Sequence, residues 1–227
     1  MTLDHIIDAE IHYNSKIYQA IVKAIQDTPV ETILEIGASS GSGSTLAIIQ
    51  GVKSCGRDVR VASIEVSKGR FANLKQRYEQ YPWFTPYNVS SIPVTFFPTQ
   101  SEIASFVKTN RQLQNNSVDT VLNWYNSDVS YILENDIYQF GIDKIKKDFG
   151  VQTFDMVLID GSEFLGNKEF EALPGAKVYI LDDIFAYKNQ YSHTSLLSNP
   201  EYQLVFVDET RGGSSIFFRK DILSLIK

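Results

Sequence analysis

The 227-residue sequence has one cysteine, Cys55, so it can close no internal disulfide and offers no cysteine-rich zinc site. That thiol falls in or near the helix expected after a glycine loop, where it reads as ordinary helix packing rather than as a nucleophile. The three histidines, His5, His12 and His193, are scattered, and none sits in a motif. Positive charge is scarce as well. The formal net charge is -6 and the one dense basic cluster is KIKK at 144–147, so the footprint expected for a phosphate backbone is missing. No nucleic-acid partner is expected. No apolar run approaches the length of about 18 residues that reads as a membrane span. The opening MTLDHIIDAE is acidic and lacks a basic flank with an apolar core. The expectation is a cytoplasmic chain with neither signal peptide nor membrane partner. Internal repeats and low-complexity tracts are lacking too.

What is there is enough apolar residue, 43%, to fill one core, so a single domain over residues 1–227 is the default. Ile17, Ile21, Ala24 and Ile25 recur at helical spacing behind an Asn-Ser start signal, which predicts a helix over 14–26. Short β-branched runs predict strands at 32–36, 59–65, 155–160 and 177–183, with a weaker one at 84–90. Leu46, Ile49 and Val52 mark a helix between the first two. Strand, glycine loop, helix, strand is a right-handed crossover unit, which builds a parallel sheet with helices on both faces. Near the end, YQLVFVDE and SSIFFRK flank TRGG, whose Gly212 and Gly213 suit a hairpin turn. The stretch 92–150 holds a capping box, Thr99 with Glu102, and further periodic sets at Val118, Val121, Leu122 and Tyr125 and at Ile142, Ile145 and Phe149. That is more helix than one crossover requires. It is expected to be an elaboration that covers a ligand or only packs on the sheet.

The loop itself is ILEIGASSGSGST, residues 33–45, where nearly every side chain after the strand is small. A strand that ends before a helix exposes unpaired backbone N–H groups and the positive end of the helix dipole, and glycine lets a ligand come close. Two cofactor classes compete for such a loop. The dinucleotide fingerprint wants a glycine or alanine where this chain, reading from Gly41, has Leu46. Read from Glu35, the pattern is E-x-G-x-x-x-G-x-G. It resembles the first motif of the class I S-adenosylmethionine-dependent methyltransferases, and the likeness extends along most of the chain: SIE ending in Glu65, FDMVLIDGSEF, LDD and the final RGGSSIFFRK. The resemblance implies an α/β, Rossmann-like doubly wound fold, with a mostly parallel seven-stranded sheet, an antiparallel C-terminal hairpin and a helical insertion before strand four. It implies cofactor contacts from Glu35, Gly37, Ser39, Gly41, Gly43 and Ser44 in the loop, from Glu65 on the ribose hydroxyls, and from Ser90 and Ser91 near the adenine. Glu35 either contacts the methionine end or simply orients the loop.

Asp160 closes the fourth predicted strand and Asp182 and Asp183 the fifth, so three carboxylates come to the edge where ligands bind in open α/β sheets. Carboxylates converging there repel unless something cationic joins them, and oxygen-only ligands suit Mg²⁺. The pattern resembles metal-dependent small-molecule O-methyltransferases, including the macrocin-type enzymes and the cephalosporin hydroxylase-like proteins. That likeness implies Asp160, Asp182 and Asp183 as ligands of a Mg²⁺ ion that orients an acceptor oxygen. Consecutive strand residues face opposite sides, so the pair can share an ion only if the strand has ended by Asp183. Asp160 and Glu163, the latter where a relative often has histidine after DGS, are the expected catalytic carboxylates, and Lys188 is a second candidate base. Trp83 and Trp124 would line an acceptor pocket or pack in the core. The reading is an enzyme that methylates an oxygen of a small molecule or sugar. Its rivals are a nicotinamide-dinucleotide oxidoreductase and a non-catalytic binding module on the same fold.

Overall fold

The structure, a computed structural model, describes residues 11–110 and 116–225. The acidic opening decapeptide with His5 lies outside the described residues, as do positions 111–115 of the expected insertion. Seven strands make one sheet: β1 (Thr32–Ile36), β2 (Arg60–Ile64), β3 (Phe84–Tyr87), β4 (Met156–Ile159), β5 (Val178–Asp182), β6 (Tyr202–Asp208) and β7 (Ser214–Arg219). Their spatial order is β3-β2-β1-β4-β5-β7-β6. The first five run parallel, and β7 is antiparallel to both its neighbours. The chain winds outward from β1 on one side and from β4 on the other, so the β1–β4 seam is the topological switch point.

Every residue of β1, β4 and β5 is buried, as expected for parallel strands covered on both faces. Alternation along them feeds two cores. Leu34, Ile36, Val157 and Ile159 point into one, and Ile33, Met156 and Leu158 into the other. The second core is closed by α1 (Lys16–Asp27) and α2 (Ser44–Cys55). Ser15 caps α1 by accepting the Tyr18 N–H at 3.3 Å, and Ile17, Ile21, Ala24 and Ile25 form its buried stripe. Each of the three isoleucines contributes about 1.5–3 kcal/mol on leaving water. The first core is closed by the insertion: α4 (Gln100–Thr109), α5 (Val118–Glu134) and α6 (Gly141–Phe149) supply Ile103, Val121, Ile132, Ile142 and Ile145. Thr99 and Glu102 form the expected capping box at the start of α4.

Among the described residues the remaining α-helices are α3 (Lys68–Tyr78), α7 (Gly166–Ala172), α8 (Gln190–Ser198) and α9 (Lys220–Leu223). Among the described residues no helix is long and apolar enough to cross a membrane. Two strand ends matter for the chemistry. β4 stops at Ile159 and β5 at Asp182, so Asp160 and Asp183 are already outside the sheet, and Asp183 takes a left-handed φ of 53°. The restriction that consecutive strand residues face opposite ways therefore does not separate Asp182 from Asp183.

Candidate active site at the switch point

The loop after β1 is shaped by its glycines in two different ways. At Gly37, φ is 91°, and a Cβ would lie 2.0 Å from the Asp160 carbonyl oxygen. Only glycine lets the ends of β1 and β4 touch. Gly41 faces the other way: a Cβ there would meet the Tyr78 ring at 2.7 Å, and its carbonyl accepts the Tyr78 hydroxyl at 2.5 Å. Gly43 then caps α2. Glu35 is fully buried and accepts hydrogen bonds from the hydroxyls of Ser44 at 2.7 Å, Thr45 at 2.9 Å and Ser63 at 2.5 Å. It ties the loop and α2 to β2.

Above this loop lies a cavity of about 220 Å³. Of the residues expected to meet a cofactor, Gly37, Ser39, Gly43, Ser44, Glu65, Ser90 and Ser91 are on its wall; Glu35 and Gly41 are not. Glu65, one residue past β2, is 5% exposed and accepts the backbone N–H of Ser39 at 2.8 Å and of Ser67 at 2.7 Å. Burial nevertheless outweighs those bonds and pushes its pKa up to about 6. The Ser90 hydroxyl donates to the Ile92 carbonyl, and Ser91 donates to Glu169. The insertion reaches the same cavity through Phe97, Asp128 and Ile132.

At the carboxyl ends of β4 and β5, Asp160, Asp182 and Asp183 offer oxygens within 4.8 Å of one another, a donor group that could hold a metal ion. A cation from the chain itself already stands there. Lys188 is 2% exposed, and its Nζ lies 2.9 Å from Asp160 Oδ1, 2.8 Å from Asp183 Oδ2 and 3.8 Å from Glu163 Oε1. Burial alone would depress the lysine pKa, but Asp160, Glu163, Asp183 and Asp182 together hold it well above the usual range. Burial drives Asp160 upward against the pull of Lys188. Asp182 accepts from Ser214 at 2.7 Å, while its Oδ2 is buried without a hydrogen-bond partner. Burial, then the Asp183 charge, raises the Asp182 pKa. Glu163 is half exposed, and enclosure by the cleft raises its pKa against the pull of Lys188.

Three wall residues carry no signal in the sequence. Asp128 accepts from Ser162 at 2.6 Å, and burial raises its pKa to about 6. Glu169, on α7, is 1% exposed, has one oxygen without a partner, and is raised by burial to about 7. Arg70, on α3, faces the same space. A lone acid or arginine on a helix reads as a solvated face until the fold turns it inward. His12, His193, Cys55, Trp83 and Trp124 do not line this cavity; Trp83 stacks on Tyr81 at 5.1 Å.

No family profile matches the sequence, and no curated protein matches it. Solved structures do resemble the fold. An O-methyltransferase from Bacillus cereus in complex with S-adenosylhomocysteine aligns over 92% of this chain and 83% of its own, with a TM-score of 0.55 at 14% identity. A Podospora anserina methyltransferase with S-adenosylhomocysteine bound aligns over 92% and 80%, with a TM-score of 0.52 at 13% identity. A Staphylococcus aureus protein provisionally described as a caffeoyl-CoA O-methyltransferase aligns over 91% and 84%, with a TM-score of 0.52 at 15% identity. This is the class I methyltransferase fold. At the β1–β4 seam of that fold, the glycine loop and Glu65 line one cavity together with Asp160, Asp183 and Lys188. Identity this low carries the fold and no acceptor.

Proposed function

We propose that the chain transfers a methyl group from S-adenosylmethionine to an oxygen of a small molecule or sugar. The observation that carries this reading is Glu65, a carboxylate at the carboxyl end of β2, inside a cavity that also holds Gly37 and the start of α2. Ionised, it accepts from both hydroxyls of a ribose, and the two backbone N–H groups that grip it keep it aimed. The first turn of α2 presents its dipole and free N–H groups to the anionic methionine end. Glu35 holds that turn in shape from behind. Ser90 and Ser91 stand at the wall assigned to the adenine. The donor set therefore suits a nucleoside with an amino-acid arm. The provisional description of the Staphylococcus aureus relative agrees with a small-molecule acceptor.

When bound, the cofactor supplies an electrophilic methyl: its S–CH₃ bond breaks as the acceptor O–CH₃ bond forms, and S-adenosylhomocysteine leaves as a neutral thioether. The chain orients the acceptor, excludes water and receives the acceptor's proton. Asp160 and Glu163 are the carboxylates assigned to that edge. A Mg²⁺ ion on Asp160, Asp182 and Asp183 would polarise the acceptor oxygen. As folded, those residues fit such an ion only once Lys188 withdraws, and no step depends on it. A cavity wall carrying Asp160 and Asp183 also speaks against a non-catalytic module, whose edge would be filled and apolar.

A thermal-shift series decides between the readings. S-adenosylhomocysteine should raise the melting temperature in a dose-dependent way while NAD leaves it unchanged. A response to NAD alone rejects the methyl-transfer reading.

A further inference from the structure

Lys188 lies beyond β5, where a lysine would ordinarily reach water, yet it turns back across the sheet edge and is 2% exposed. Its backbone is fixed from two sides. The neighbouring Asn189 side chain donates to the carbonyls of Ile159 at 3.0 Å and Asp182 at 2.6 Å, which bolts this segment to the ends of β4 and β5. Gly166 presses on it from α7, since a Cβ there would sit 2.3 Å from the Lys188 carbonyl oxygen. The ammonium is thereby delivered between Asp160 and Asp183, at 2.9 and 2.8 Å.

We propose that Lys188 is the built-in cation of the acidic edge, occupying the place of a divalent ion and presenting an N–H to the acceptor oxygen. The electrostatics favour one occupant. A divalent cation placed beside the ammonium would meet like-charge repulsion before any desolvation. Of the ammonium's three donors, Asp160 accepts one at 2.9 Å, and Asp183 pairs with the charge at 2.8 Å. Glu163, at 3.8 Å, is too far for a full hydrogen bond, so a donor is available to a ligand oxygen. Removing the lysine strands two enclosed carboxylates without compensation, which makes them a cation trap. The acceptor part of this inference rests on the methyl-transfer reading; the occupancy of the acidic edge does not.

Electron paramagnetic resonance titration with Mn²⁺ tests it, on the wild type and on Lys188→Met, Lys188→Gln and Lys188→Arg. The wild type and Lys188→Arg should take up no stoichiometric ion tighter than about 1 mM. Lys188→Met and Lys188→Gln should each gain one tight Mn²⁺, and S-adenosylhomocysteine should still raise the melting temperature of every folded variant. Stoichiometric Mn²⁺ binding by the wild type overturns the proposal, as does a folded Lys188→Met or Lys188→Gln that takes up none. If neither neutral variant folds, the wild-type titration decides alone. A wild type that ignores both Mn²⁺ and S-adenosylhomocysteine keeps its resident lysine and loses the methyl-transfer reading.

Discussion

Under the proposed reading, Glu65 stands where its charge state would control ligand binding. Burial places its pKa at about 6, and ribose hydroxyls donate, so the ligand prefers the ionised form. Affinity for S-adenosylhomocysteine should be full above about pH 7 and fall as pH drops through about 6, by at most tenfold per unit. Glu65→Gln should weaken binding by about 1.5–3 kcal/mol and flatten the profile. Calorimetry between about pH 5 and 8 reads both effects, and a flat wild-type profile would remove the ribose role. At this scale the sequence revealed chemistry better than facing. Glu35 and Gly41 were legible as part of the loop pattern, but only the fold turns Glu35 into the sheet and Gly41 onto Tyr78. Lys188 was visible as a residue near the acids; its direction depends on Asn189 bonding to two strand ends, which no local pattern announces.

Among the elements, the glycines separate packing from turn geometry. Gly37→Ala forces a Cβ into the Asp160 carbonyl and should cost more than about 3 kcal/mol, with loss of S-adenosylhomocysteine binding. Gly56→Ala, at φ 68° with nothing within 4 Å, should cost only about 1 kcal/mol and leave binding intact. Denaturant unfolding and ligand titration on the pair distinguish the two. Thr99→Ala removes the cap of α4 and should cost about 1 kcal/mol. The central strands were legible because β1, β4 and β5 are buried throughout and carry unbroken apolar runs. α3 was not, because it buries only Leu74 and Tyr78 and leaves no periodic stripe to read. The insertion announced its helices through Thr99, Val121 and Ile142, but not that Asp128 would turn toward the cavity.

For the whole molecule, the cavity stores unfavourable charge. Glu65 and Asp128 are raised to about 6 and Glu169 to about 7, each chiefly by burial. Their folded pKa values lie above the unfolded ones, so their contribution is complete below about pH 4 and is lost as pH rises through 6 to 7. The ligand-free protein should therefore melt progressively lower between about pH 5 and 8. Glu169→Gln keeps the bond from Ser91 and should add roughly 1–3 kcal/mol at pH 8 with little change at pH 5. Calorimetric melting at both pH values checks it, and equal shifts would show that the carboxyl is not ionising there.

The turn between β6 and β7 has a bearing on how the molecule is assembled. Gly212 and Gly213 accept the backbone N–H groups of Phe185 and Ile184, just past the acidic pair. Residues of the β6–β7 turn thus brace the strand ends that carry Asp182 and Asp183, whereas Gly37 and Glu65 belong to segments made earlier. On a ribosome, the glycine loop and the acidic edge would mature at different times, and the acidic edge waits for β7 to emerge.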